Sequence, residues 1–600
     1  MAFRRPPPPS NEGLRLEPHP SASPSSAQVR LRAEAGRPRR TPAARNPRPS
    51  PLPPGLGVEI DRAVRLFDEG TVLVGGCPPR AVRLTTDQAS ALIRWSSGAS
   101  PAGRAERLLA RRLVDSGLAH PRPERDAVPV EPGTVEVAVV GQAGSAGLAR
   151  TLDDLAADHP ALRPVVVGAT GACAWVARAR GARVVPGPPG GAEARAAALD
   201  ACSAPLLALL VAGARPGPGW LETALGHFAD PGVAAVLPRV LTARPNAPSY
   251  GEMTIAAVAA DRAGADRGAD PAPVLPWGRG TGGPGLPGTA NEHTGADPLN
   301  PVNTLVLRRA AVGRLDPGPG AGAETDALWR LAEDGWSVRY EPRSRVWNPP
   351  VTDLGGYLRA CFARGAAAGP LARSRHTRAA GPDLPWPSAV GLALVAAGHP
   401  ALAAGAVALG AADTAWRLSR VSPGTLPEAL RLAARDLAHT ARVGGRWVRG
   451  TWWPVLAAVA VGAGAVAFRG PGPGTGPTPV SRTVSPSSSS DAGLRTLRAA
   501  GPSGRARWIA AAAGAVLTLP HLGAWHRGRG VALVDPVGWT ALAVAGDAAR
   551  ALGAWWGVAR SGSSAPLTPG VRAVAVRPSA GRSGGAPNMK EKSLSLVSSR

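Results

Sequence analysis

The run from Leu206 to Val240, LLALLVAGARPGPGWLETALGHFADPGVAAVLPRV, constrains this chain more than any other stretch. An apolar strand enters a Pro/Gly turn, a helix follows from Trp220 to Phe228, and the turn Ala229-Asp230-Pro231-Gly232 leads into a second β-branched strand. That rhythm belongs to an α/β unit, in which buried parallel strands alternate with covering helices. Upstream, Val135 to Val140 reads as a first buried strand, followed by Gly141, Gly144 and Gly147 and a helix from Leu148 to Ala157. Two further strands are expected at Pro164–Val167 and Ala182–Val185. The glycine spacing after the first strand matches neither the dinucleotide fingerprint nor the P-loop, so neither chemistry is inferred from it.

Composition bounds the partners. The chain has 600 residues, and its 75 glycines and 65 prolines concentrate in a few segments. Residues 1–50, 470–502 and 561–600 therefore read as disordered tails and linker, and 262–299 as a long loop of the kind that forms a lid or stays unstructured. The net charge of +26 would suit nucleic acid or an anionic membrane. Arg is spread along the whole chain, however, and no basic run is interleaved with aromatics, which argues against nucleic acid. Cys77, Cys173, Cys202 and Cys361 form no CxxC pair, as expected of a protein in a reducing compartment.

Between the tail and the α/β pattern, residues 51–122 carry short strands around Val58–Ile60, Val64–Leu66, Val72–Val74 and Val82–Leu84. Thr85-Thr86-Asp87 can cap a helix to Trp95, and Leu108 to Gly117 reads as a second helix. After the core, Pro387 to Ala415 is apolar and uncharged until Asp413, long enough to span a bilayer but broken by Gly398-His399-Pro400. An Arg-rich stretch from Arg417 to Arg449 follows, then a second apolar run from Trp452 to Phe468. Membrane-associated helices over 386–468 are expected, with a soluble bundle as the other reading. Further helices are expected over 506–560.

Several of these segments together resemble a known family. Pro218-Gly219-Trp220-Leu221 is similar to the helix start that follows the Asp-x-Asp motif of family 2 glycosyltransferases, and Gly322-Ala323-Glu324-Thr325-Asp326-Ala327-Leu328-Trp329-Arg330-Leu331 resembles their acceptor-side helix. Residues 51–122, with LVGGCPPRAVRLT, resemble the PqqD-like module of the mycofactocin system glycosyltransferases, in which a small α+β domain precedes the catalytic one. The resemblance implies a fold of three parts: a PqqD-like peptide-recognition domain, a GT-A type, Rossmann-like α/β domain over 133–375, and a helical C-terminal region. A small structural domain without ligand is the other reading of 51–122.

The family implies an inverting transfer of glucose from UDP-glucose to a modified precursor peptide, aided by Mg or Mn, on the cytoplasmic face of the cell membrane. Carried over residue by residue, it puts the general base at Glu324 and a supporting carboxylate at Asp326. Plain helix N-terminal chemistry explains the same two carboxylates equally well. Donor-binding positions fall at Gly141, Gly168, Val211 and Gly213; a helix from Tyr357 to Arg364 would carry Arg359 and Arg364 toward the diphosphate, with an exposed basic face as the commoner reading of those two. The two metal-ligand positions, Val211 and Gly213, are not acidic, and the expected acidic turn after the second strand reads Gly168-Ala169-Thr170-Gly171. A catalytically impaired scaffold that binds peptide is therefore the second expectation, and an Arg-rich membrane-surface protein the third.

Overall fold

The computed structural model describes residues 50–76, 80–124, 127–141, 143–264, 266–273, 302, 304–375, 383–396, 399–419, 426–468, 502–528 and 534–572. The amino-terminal tail, Cys77, most of the 262–299 loop, the 470–501 linker and the chain beyond 572 lie outside the described residues.

Residues 50–122 contain β1 (Gly57–Ile60), β2 (Arg65–Phe67), β3 (Val72–Gly75), β4 (Arg80–Arg83), α1 (Thr86–Ser96), α2 (Gly103–Asp115) and β5 (Ala119–Arg122). β2, β3 and β4 form an antiparallel sheet, and β1 pairs with β5. Leu73, Val82, Trp95, Leu113 and Leu118 build the core. Thr85 caps α1 as its residue type dictates: its hydroxyl accepts from Gln88 N and the Gln88 side chain accepts from Thr85 N. α2 starts earlier than the apolar pattern indicates, because the Glu106 carboxylate reaches back to the Ala102 N–H at 2.9 Å and anchors the first turn.

The α/β part follows in order: β6 (Val135–Val140), α3 (Ser145–Asp158), β7 (Val165–Val167), α4 (Gly171–Ala179), β8 (Arg183–Val185), α5 (Gly191–Ala201), β9 (Leu206–Val211), β10 (Arg215–Pro216), α6 (Trp220–Leu225), β11 (Val233–Thr242), α7 (Tyr250–Ala263), β12 (Ala272–Pro273), β13 (Leu305–Arg308), α8 (Arg309–Val312), α9 (Ala323–Glu333), β14 (Ser337–Asn348), α10 (Leu354–Ala366) and α11 (Ala368–Arg375). The strands make one nine-stranded sheet in the order β8-β7-β6-β9-β13-β11-β14-β10, with β12 also on β14. Pairing is parallel from β8 to β9 and between β11 and β14, while β13 runs antiparallel to both neighbours. This is a mixed, parallel-rich α/β domain. Alternation along β9 explains its two cores: Leu207 and Leu209 join Leu305 and Leu307 on one face, and Leu206, Ala208 and Leu210 join Val306 and Trp220 on the other. Helix α7 lies between the strand that ends near Val240 and the 262–299 loop, where no element was expected, and Ser249 and Glu252 form a capping box at its start.

The C-terminal region holds β15 (Asp383–Pro385), α12 (Trp386–Ala396), α13 (Pro400–Ser419), α14 (Leu426–Phe468), α15 (Pro502–Gly528), α16 (Pro536–Ser561) and β16 (Gly570–Arg572), with β15 and β16 paired in parallel. The transmembrane expectation is not met: among the described residues no helix is long and apolar enough to cross a membrane. The apolar stretch from Pro387 divides into two helices before Pro400, and the run from Trp452 continues the Arg-rich helix α14 instead of forming a span of its own. α16 lies tightly on α10, where Gly365, Gly553 and Gly557 let backbone meet backbone; a Cβ on Gly553 would sit 2.9 Å from the Phe362 carbonyl carbon.

Candidate active site

The C-terminal ends of β6, β7 and β9 lie side by side, the place where open α/β sheets bind ligands. Gly141 leaves β6 at φ +99°, Gly168 leaves β7 at φ +71°, and Gly213 follows β9 at φ +85°, each in the left-handed region that favours glycine. A Cβ on Gly141 would lie 3.6 Å from Val211 Cγ1, and one on Gly213 would lie 3.4 Å from Ala143 and from Pro349. Gly141, Val211 and Gly213 are thus brought together at one edge. Thr151 of α3 ties that edge down: its hydroxyl donates to Ala214 O at 2.7 Å and accepts from Gly213 N at 3.0 Å. Gly168 is held beside the Gly187-Pro188 turn, where any side chain would strike the Pro188 carbonyl.

The two carboxylates predicted for catalysis are in α9 but do not share that edge. Glu324 and Asp326 sit in its first turn and are 2% and 5% exposed. Glu324 turns into the sheet core, with Oε1 2.8 Å from Nη1 of Arg195 on α5. Leu209, Leu305, Leu307 and Leu328 line the small void around this pair. Burial pushes the Glu324 carboxyl above the ordinary glutamate range, and the Arg195 charge pulls it back. Asp326 faces α11 instead, accepting from Ser374 Oγ at 3.2 Å.

The residues present do not fit the divalent metal that the family resemblance implies. Val211 and Gly213 offer no side-chain oxygen, and among the described residues no three His, Cys, Asp or Glu side chains converge on a common point. Mg and Mn require several oxygen donors. Two polar groups lie near the sheet's ligand-bearing ends: Thr304 Oγ1, just before β13, and Asn348 Oδ1, at the end of β14, are buried without a hydrogen-bond partner among the described residues. Unsatisfied buried oxygens are costly and uncommon, so both are candidate ligand contacts. Arg359 and Arg364 do not converge on this edge. Arg359 is exposed beside Asp353, and Arg364 is buried, donating to Arg262 O at 2.7 Å.

Over 333 residues the sequence is 33% identical to the pre-mycofactocin glycosyltransferase of Mycobacterium tuberculosis, from strains CDC 1551 and H37Rv alike. The chain is similar to that enzyme over this stretch. The match covers 54% of this chain and 64% of the relative's length. No protein-family model matches. Among solved structures, glucosyl-3-phosphoglycerate synthase from M. tuberculosis in complex with Mg2+ and UDP aligns with 40% of this chain and 78% of its own at 16% identity and a TM-score of 0.27. GalNAc-T7 with UDP, GalNAc and Mn2+ aligns with 36% and 43% at 13% identity and a TM-score of 0.25. Likeness at that level settles nothing about the site.

Residues 50–122 are fixed to the α/β domain by a buried ion cluster. Arg111 of α2 forms a bidentate pair with Asp230, with both N–H···O distances 2.8 Å, and Arg339 of β14 adds a third contact at 3.3 Å. Asp230 also accepts from Gly232 N, which sets the turn into β11. The fork geometry of Arg suits this arrangement.

Proposed function

We propose that this chain transfers a hexose, glucose from UDP-glucose, to a peptide-derived redox cofactor precursor in mycofactocin biosynthesis. The observation that carries the reading is the 33% identity over 333 residues to a pre-mycofactocin glycosyltransferase. The glycine-rich strand ends at Gly141, Gly168 and Gly213 support it, because they leave room for a nucleotide to approach the backbone. The PqqD-like reading of residues 50–122 supports a peptide acceptor. β2 and β4 are the outer strands of their sheet, and a peptide strand can add to such an edge. We place the protein at the cytoplasmic face of the membrane. The exposed apolar side chains Leu430, Leu437, Val455 and Val459 on α14, among its arginines, support that placement.

Glu324 is the proposed base, with Asp326 as its supporting carboxylate. A buried carboxyl with a raised pKa suits proton abstraction near neutral pH, provided that the acceptor hydroxyl comes within about 3 Å of it. Burial of Glu324 under Leu209 and Leu305 and the missing metal ligands favour the second reading, a pseudo-glycosyltransferase that binds peptide as a scaffold.

Calorimetric titration with UDP-glucose, with and without manganese, followed by mass spectrometry of a precursor peptide, separates them. Saturable donor binding and a hexose mass increment that is lost in Glu324→Gln support the transferase. Peptide binding with no donor affinity up to millimolar concentration leaves the scaffold.

A further inference from the structure

At the strand-end edge, hydrocarbon stands where the family resemblance would put metal ligands. Val211 Cγ1 lies 3.6 Å from the Cβ position of Gly141, and the space beside Gly213 is bounded by Ala143 and the Pro349 ring, both 3.4 Å from its Cβ position. The segments that form this edge, 143–147, 168–171, 211–215, 242–244 and 348–350, contain no Asp, Glu or His. Cys173 is close, its thiol donating to the Ala143 carbonyl at 3.5 Å, but a soft sulfur does not suit Mg or Mn. The same segments contain two arginines, Arg215 and Arg244. Mg and Mn are held by oxygen donors, most of them anionic, so an edge of this composition repels a divalent cation and attracts an anion.

The two arginines are held differently. Arg215 of β10 stands opposite Trp347 of β14, and its Nε is 3.1 Å from Asp154 Oδ2 on α3. Arg244 follows the last rung of the β11–β14 pairing, where Thr242 stands opposite Asn348 and Ala243 N donates to Asn348 O at 2.9 Å. β11 and β14 run in the same direction as β9, so Arg244 leaves the sheet at the end where Pro349 packs beside Gly213. Arg244 is exposed, and among the described residues no carboxylate or carbonyl holds its guanidinium. A guanidinium in that condition is charged at every working pH and can close on a phosphate through two parallel N–H donors.

We infer that this chain binds a nucleoside diphosphate without a divalent cation, and that the Arg244 guanidinium is the positive charge that meets the diphosphate. The inference rests on the nucleotide-sugar reading of the strand-end edge and adds to it the means by which the phosphate charge is neutralised.

The test titrates the full chain with UDP by calorimetry and with uridine by saturation-transfer NMR, each in EDTA and in manganese chloride. UDP is expected to bind with the same dissociation constant in both buffers. Arg244→Gln is expected to raise that constant roughly 10- to 100-fold, the loss of a charge-assisted contact, and to leave the uridine constant as it is, because uridine carries no phosphate. Arg359→Gln, exposed on α10, should change neither. UDP binding that appears only with manganese overturns the inference while the nucleotide reading stands. An Arg244→Gln protein that binds UDP as the wild type does, or that loses UDP and uridine alike, overturns it too. Absence of UDP and uridine binding in every buffer overturns the inference and the nucleotide reading together.

Discussion

Asp230 should be the most sensitive single carboxylate in the fold. It is 1% exposed, receives two bonds from Arg111, one from Arg339 and one from Gly232 N, and so compensates two buried guanidiniums at once. Asp230→Asn keeps the shape and removes the charge, leaving Arg111 and Arg339 buried together with only the half-exposed Asp115, 4.0 Å from Arg111, as counter-ion. Removing one partner of a buried pair costs roughly 3–5 kcal/mol. With a urea m-value of about 1–3 kcal/mol/M for a unit of this kind, the corresponding transition should move down by at least about 1 M, read by fluorescence of the 17 tryptophans. Because Arg111 lies on α2 and Asp230 before β11, residues 50–122 should then unfold separately, giving two transitions where the wild type shows them coupled. Acid should have the same effect. Burial raises the Asp230 pKa, but the hydrogen bond from Arg111 and the charge of Arg339 outweigh it and leave a net lowering. The stabilisation is complete above the ordinary aspartate pKa and is lost as pH falls through the depressed folded value. Asp230→Asn should lack that acid limb. A loss below about 1 kcal/mol with the acid limb retained would refute the reasoning, since it would show that water already reaches the cluster.

Further outcomes follow from the same geometry. Glu324→Gln should lower stability by a few kcal/mol by removing the buried charge that Arg195 faces at 2.8 Å, and Glu324→Leu combined with Arg195→Met should recover most of that loss in denaturant titrations. Gly553→Val on α16 should cost at least about 1–3 kcal/mol, because its side chain meets the Phe362 carbonyl and the Ala366 nitrogen; unchanged thermal stability would show that the α10–α16 crossing is loose. Burial pushes the Cys202 thiol up to about 12, so at pH 8 alkylation followed by peptide mapping should modify half-buried Cys173 before Cys202 and leave Cys202 intact until unfolding. Val211→Asp should add one oxygen donor at the strand-end edge, measurable as manganese binding by electron paramagnetic resonance if Asn348 Oδ1 can serve as a second ligand.

Period and punctuation made the α/β core legible. The buried runs of β6, β7 and β9 and the Pro-Gly-Trp start of α6 are local signals, and the structure places each where the pattern indicates. The short pairings were harder: β5 is Ala-His-Pro-Arg, and it becomes a strand only because β1 supplies its partner. Helix α14 was divided by composition, since its Arg-rich and apolar halves look like different environments although the backbone runs through both, past Pro454. At the candidate site, the glycines could be placed by analogy because their backbone geometry is local. The direction of Glu324 could not. It depends on Arg195, more than a hundred residues earlier, and on which face of α9 meets the sheet core. Asn348 carried a faint signal in its place before Pro349-Pro350, but only the end of β14 shows that its oxygen is left unpaired.

The crossing of α10 with α16 also bears on how the protein is made. The last helix of the α/β core, α11, ends at Arg375, but α16, which covers the glycine face of α10, begins at Pro536. At bacterial-like synthesis rates of about 5–20 residues per second, that face waits roughly 8–30 s on the ribosome for its cover. The pairing of β15 with β16 closes later still, at Arg572. The core therefore emerges as an unfinished surface, and a chain stopped between Arg375 and Pro536 should recruit chaperones or aggregate, while one reaching Arg572 should not.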